Sequence, residues 1–340
     1  MNHSPSTVQS ATGTALRRIG LGGITGSPVA LAIALGLMAL LLAVPLTHND
    51  YYQIVFRNIL MYAAMAYGWN VIGGYTGYVS FGQVAFFGLG AYCSAVLSAN
   101  GIDNLFADVA LACLVTALFA IVIGIPVLRL KGHYFAIATL GIGLAITDII
   151  ANLDALGASS GLAVHHVDEA HFYIYYYAMW LVALGAILGT FAIARSKLGY
   201  AFVAIRENED AAAVLGIGQT RYKVTAWAIS GMMAGAAGAV FAPANGFVDP
   251  SIAFSVDSNV FPIVMAIFGG VGTVAGPFIG ALILDGTNEL LQRYFINIHT
   301  LFFGAMIVLV VLLLPRGLVS LFGLKGGVRA WLKSLTAYKA

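Results

Sequence analysis

The sequence predicts an all-α polytopic membrane protein, and three observations carry the prediction. Of its 340 residues 60% are hydrophobic and only 9% are charged, with a mean hydropathy of +0.92; a soluble domain carries about 25% charged residues. The apolar residues fall in runs near the roughly 20 that cross a bilayer as a helix. The charges are sorted, most basic residues to one set of connections and most acidic residues to the other. No aqueous globule of this length covers so much apolar surface.

Taken in order, the candidate spans are 29–47, 52–72, 84–100, 109–128, 134–153, 174–194, 224–242, 258–270, 275–292 and 300–315. Two of these are short and interrupted by glycine, so the expectation is about 8–10 transmembrane helices. Residues 1–28 are rich in Ser, Thr and Gly and carry Arg17 and Arg18. The run that follows is long for a secretory h-region and lacks a small-x-small cleavage site, which points to a short tail ahead of a first span. Cys93 and Cys113 both fall in apolar runs, so they imply neither a disulfide framework nor a metal site.

Orientation follows from Lys and Arg. With the N-terminus in the cytoplasm, the inner side collects Arg17, Arg18, Arg129, Lys131, Arg195, Lys197, Arg206, Arg221, Lys223, Arg316, Lys325, Arg329, Lys333 and Lys339. Only Arg57 and Arg293 fall elsewhere, near outer span ends. The reverse topology opposes the positive-inside bias, so both termini are expected to be cytoplasmic. The outer side holds Asp50, Asp103, Asp108, Asp154, Asp168, Glu169, Asp249 and Asp257. Its longest loop, about 154–173, contains His165, His166 and His171 among carboxylates; a metal site there lacks a second ligand cluster, and a polar loop facing solvent or a partner is the plainer reading.

The interval 195–223 is the longest polar stretch between Tyr173 and the C-terminal tail. Within it Glu207-Asn208-Glu209-Asp210 leads into Ala211-Ala212-Ala213-Val214-Leu215 and Gly216. Asn208 or Asp210 can cap a short helix, acids fill its first turn, and Gly216 stops it. Held in water between apolar spans, such a helix is shaped to be gripped by a soluble partner.

Two glycine-rich stretches interrupt the apolar pattern. One runs from Gly73 to Gln83, and the other from Gly269 to Pro277. Non-helical backbone at membrane depth is tolerated only inside protein or along a water-filled cavity, so paired breaks point to a pathway near the midplane. Tyr75, Thr76, Gly77, Ser80 and Gln83 are the candidate pathway residues, because they bring hydroxyl and amide groups or free backbone without charge. The run Gly231, Gly235 and Gly238 reads instead as a close-packing surface between helices. Asp148 and Asp285 are the deepest ionisable residues and the candidates for ion coupling, although no buried relay accompanies them.

No phosphate-binding GxxxxGK[ST] and no HExxH zinc helix occurs, and no serine nucleophile elbow is expected. Arg17 and Arg18 are too small a cluster for nucleic acid. Bond-making chemistry has no foothold, and no catalytic residue, cofactor or metal is assigned.

Four stretches carry a family resemblance: GYTGYVSFGQVAFFGLGAY (74–92), LRLKGHYFAIATLGIG (128–143), SKLGYAFVAIRENEDAAAVLGIGQTRYK (196–223) and FGGVGTVAGPFIGALIL (268–284). Together they resemble the inner-membrane permeases of branched-chain amino acid ABC importers, in particular the M-type subunit, over roughly residues 55–317. The resemblance implies half of a translocation pathway in the bacterial inner membrane. The partners it implies are an H-type permease subunit, two ABC ATPase subunits below and a periplasmic binding protein above. It also turns the capped helix into a coupling helix. Asp210-Ala211-Ala212 followed by Gly216 fits an EAA-x3-G pattern with Asp for Glu, without the pattern's downstream proline. Arg206, Glu207, Asn208, Glu209, Asp210, Ala211, Ala212 and Gly216 are the coupling candidates. The organisation expected is a tail over 1–28, a permease domain over 29–316 with its coupling loop at 195–223, and a tail over 317–340. A permease for urea, other amides or other amino acids stays open, as do a self-contained ion-coupled transporter and a membrane scaffold.

Overall fold

A computed structural model describes residues 28–165, 173–295 and 317–319, with positions 304 and 308. The expected tails, the histidines beyond His165 and most of the last span lie outside these residues. Twelve α-helices run through the described chain: α1 (Pro28–Leu41), α2 (Asp50–Trp69), α3 (Gln83–Ala99), α4 (Leu105–Val127), α5 (His133–Ala151), α6 (Tyr173–Arg195), α7 (Lys197–Glu207), α8 (Glu209–Val214), α9 (Gln219–Asn245), α10 (Pro250–Ala253), α11 (Val256–Gly269) and α12 (Gly276–Tyr294). A π-helical segment, Asn70–Tyr75, prolongs α2, and one antiparallel pair, β1 (Leu162–Ala163) with β2 (Phe247–Val248), closes one end.

Five of the described helical stretches are long and apolar enough to cross a membrane: α4, α5, α6, α9 and 250–269. Burial divides them. α9 is 67% buried over its most apolar window, whereas α4 and α5 are each 22% buried. α9 is therefore the central post, and α4 and α5 present Leu114, Leu118, Ile137 and Leu144 outward, as lipid-facing helices must.

Glycine makes the post possible. A Cβ on Gly90 of α3 would collide with the Gly235 backbone of α9, and one on Gly238 would collide with the Phe87 carbonyl. Gly231 accepts the Phe86 ring and Gly235 the Thr116 side chain. The Gly231–Gly238 run is thus a packing surface, as its spacing suggests.

The connections sort to two ends. At one, His165 N–H donates to Ser98 Oγ (2.7 Å), the Tyr51 hydroxyl meets Glu289 (3.0 Å) and β1 pairs with β2. At the other lie Tyr78, Leu128, Lys131 and the 195–223 segment. Every described Lys and Arg except Arg57 and Arg293 belongs to this second, basic end.

Candidate functional site

The sequence of the polar interval dictates a short helix, and the structure shows how it is held. Asn208 sits in extended backbone between α7 and α8 and caps α8, its Oδ1 accepting from the Ala211 N–H at 2.9 Å. The cap is Asn208, not Asp210. Gly216 adopts φ +82°, and the Gly216 and Ile217 N–H groups donate to Ala213 and Ala212 carbonyls at 2.9 and 3.0 Å, the glycine-terminated motif that closes a helix C-terminus.

Only one face of α8 is anchored. Ala212 is buried, and the Glu209 side chain turns inward, 14% exposed. Glu209 takes Lys223 Nζ at 2.7 Å and the Tyr78 hydroxyl at 2.6 Å, and Gln219 Nε2 donates to its backbone carbonyl at 2.7 Å. Lys223 is almost wholly buried at the base of α9; it also donates to the Leu128 carbonyl (3.0 Å) and lies over the Tyr78 ring. Burial is the largest influence on the Glu209 carboxyl and pushes it up. Hydrogen bonds from Lys223 and Tyr78, with the charges of Lys223 and Lys131, outweigh burial and hold the group below its ordinary value. The opposite face is open: Asp210, Ala211, Ala213, Val214 and Leu215 are exposed, with Val214 at 89% and Leu215 at 78%.

α7 precedes α8 as a second short helix, in a stretch expected to be loop. Leu198, Ala201, Phe202 and Ile205 follow the helical period that would have found it, and the last three are buried. Its last turn carries Arg206, whose side chain is 34% exposed and lies along the first break: Nη1 donates to the Gly74 carbonyl at 3.0 Å while Nη2 pairs with Glu207 at 3.1 Å.

Gly74 belongs to the first expected break, and the second lies against it. The π-helical segment gives way to irregular backbone until Gln83, and residues 270–275 separate α11 from α12. Asn70 joins the two. Its Oδ1 accepts from Gly272 N–H at 2.7 Å and its Nδ2 donates to the Thr273 carbonyl at 3.0 Å. The Tyr67 hydroxyl donates to the Val274 carbonyl at 2.6 Å. Freed backbone groups of the first break find partners on other helices: Phe81 N–H on Thr139 Oγ1 and Phe81 C=O on Asn259 Nδ2.

Of the candidate pathway residues, Tyr75, Thr76, Ser80 and Gln83 are buried and Gly77 is exposed. The Thr76 hydroxyl donates to the Ile72 carbonyl, Gly82 N–H donates to Ser80 Oγ, and Gln83 bridges Met65 of α2 and Ser230 of α9. Asp148 is exposed near the end of α5, while Asp285 is buried in α12. One string, Gly157-Ala158-Ser159-Ser160-Gly161, does spell G-x-S-x-G. It lies in successive 3-10 turns, without the strand-to-helix elbow that would expose a nucleophile.

Residues 51–311 match the family described as branched-chain amino acid transport system / permease component. This chain belongs to that permease family. The permease is 30% identical over 291 residues to the high-affinity branched-chain amino acid transport system permease protein LivM of Salmonella typhimurium, covering 76% of this chain and 68% of the relative. It is 28% identical to LivM of Escherichia coli over the same shares, and 24% identical to LivH of Salmonella typhimurium over 76% of this chain and 91% of the relative. No solved structure matches it. It is a multi-pass membrane protein, and the match takes in α2 through α12 and both broken segments.

The short capped helix α8 is legible in the sequence, but what fastens it is not. In the sequence Lys223 is one basic residue among several. A lysine one turn into an apolar span, with a carboxylate fourteen positions upstream, was the signal available. Asn70 gave no signal, because its role depends on a partner about two hundred residues away.

Proposed function

We propose that this permease is the M-type subunit of an ATP-driven importer for branched-chain or related amino acids, forming half of the pathway with an H-type permease. Two ATPase subunits dock at the basic end, which is cytoplasmic, and a periplasmic binding protein delivers solute to the other. The observation that carries this reading is α8. A capped helix anchored from beneath by Glu209 and Ala212 presents exposed Val214 and Leu215 at the basic end, and apolar residues uncovered outside a membrane mark an interaction surface.

The docking role falls to Asp210, Ala211, Val214 and Leu215, which are open, with Glu207 at the rim. Rigid α8, closed by Asn208 and Gly216, would move as a body when its partner moves. The hydrogen-bonded settings of Thr76, Ser80 and Gln83 support a role in holding the first break, with Tyr75 buried in it and Gly77 at its surface. Choice of solute belongs mainly to the binding protein.

The test is co-expression of the tagged chain with an H-type permease, the two ATPases and the binding protein, then purification and reconstitution in liposomes. Uptake of leucine that requires all components and ATP supports the reading. Ion-driven uptake by this chain alone would replace it with a secondary transporter and make Asp148 and Asp285 the next targets.

A further inference from the structure

We propose that Arg206 is the positioning residue that carries movement of α8 into the two broken helices, with the Glu209–Lys223 pair as its pivot. The proposal rests on reading α8 as the ATPase-docking helix.

Three glycines make a slot for the Arg206 side chain. A Cβ on Gly77 would lie 2.8 Å from Arg206 Cγ, and one on Gly272 would lie 3.0 Å from Arg206 Nη1. The third, Gly74, supplies the carbonyl that accepts from the guanidinium. Gly77 and Gly272 hold φ of +77° and +73°, so both space and backbone favour glycine there. Gly74 and Gly77 belong to the first break and Gly272 to the second, and Asn70 bonds one break to the other. A pull on Arg206 therefore reaches both.

The lever is short. Arg206 ends α7, Asn208 is the bend, and Glu209 begins α8. Glu209 is fixed to Lys223 of α9 and to Tyr78, and Lys223 is itself fixed to the end of α4. A tilt of α8 about this anchored point must displace the neighbouring Arg206 side chain. Arg206 thus acts inward on the breaks, while Asp210, Val214 and Leu215 remain outside for the partner.

The experiment uses the reconstituted complex and reads solute taken up per ATP hydrolysed. R206M should assemble and hydrolyse ATP at a near-normal rate while uptake per ATP falls about tenfold. R206K keeps one charged donor and should recover most of that loss. N70L, which cuts the bond between the breaks and leaves Arg206 in place, should uncouple in the same way. Unchanged uptake per ATP in R206M overturns the proposal. Loss of ATPase co-purification in R206M also overturns it, by making Arg206 a docking residue, yet leaves the importer reading standing; only complexes that fail to form with the unaltered chain count against that reading. A measurement free of joint variants covers poor accumulation of R206M. Spin labels at exposed Val79 and Val271, one beside each break, should change separation between nucleotide-free and ATP-bound complexes. A constant separation sinks the idea.

Discussion

Lys223 Nζ lies 2.7 Å from Glu209 Oε1, and this contact fastens the exposed helix α8 to α9, the most buried of the five described membrane-length stretches. Continuum reasoning gives a buried ion pair little net value over an apolar pair, but breaking one by removing a single partner is costly. K223M should lower stability by about 3 kcal/mol, the low end for such pairs because Glu209 keeps Tyr78 and some water. The K223M/E209Q double variant should recover part of that loss. Thermal melting in detergent checks both, and a double variant worse than the sum of its parts would count against the pairing.

Acid should release this contact, and neutral pH should not. The Glu209 carboxyl in the fold sits below its ordinary value, so its stabilisation is complete above the unfolded value of about 4.3 and is lost as pH falls through the lower folded value. The difference in melting temperature between wild type and E209Q should stay flat from about pH 8 to 5 and shrink only below about pH 4. A difference that already shrinks near pH 6 would contradict the assigned partners.

Backbone contact between α3 and α9 leaves no room at Gly90. G90V must push the helices apart, an overpacking cost of about 3 kcal/mol or more, and should abolish accumulation of folded permease. Gly185 in α6 has nothing within 4 Å of a built Cβ, so G185A should be neutral or stabilise by up to about 1 kcal/mol. Yields in the membrane fraction compare the two directly.

Exposed apolar residues on α8 predict a separation of folding from assembly. V214D and L215D should leave melting within about 0.5 kcal/mol of wild type, because both side chains stand in solvent. Together they should weaken ATPase association by about 2 kcal/mol or more, roughly thirtyfold. Pull-down titration of the ATPases reads the effect, and undiminished binding would move the docking surface elsewhere.

The ends of α8 predict smaller changes. N208A removes the cap and should cost about 1 kcal/mol. G216A places a side chain at φ +82° and should cost about 1–2 kcal/mol. Amide exchange within 209–215 should rise in both variants, with exchange in α9 unchanged.

Local signals made much of this legible from residues alone. Hydrophobic run length located α4, α5, α6 and α9 to within a few residues, because the span of a bilayer imposes its length on the sequence. Charge sorting separated the two ends, and Asn208 with Gly216 bounded α8 through interactions that reach at most five residues. α7 is harder to read although its period is present, since an 11-residue helix of mixed polarity carries a weaker signal than a span.

What no local pattern could supply is which polar groups meet across the bundle. Glu209 and Asp210 are adjacent carboxylates of one charge, yet one is locked against Lys223 and the other stands in solvent. The glycines at 74, 77 and 272 announced two breaks, but only packing brought them around Arg206 and tied them through Asn70. Composition, run length and caps are fixed by the solvent and the nearest turn of backbone, and the sequence determines them by itself. Pairing across 132 residues from Arg206 to Gly74, or 202 from Asn70 to Gly272, depends on how helices cross. That is set by the summed packing of α9 against its neighbours, and only the tertiary structure decides it.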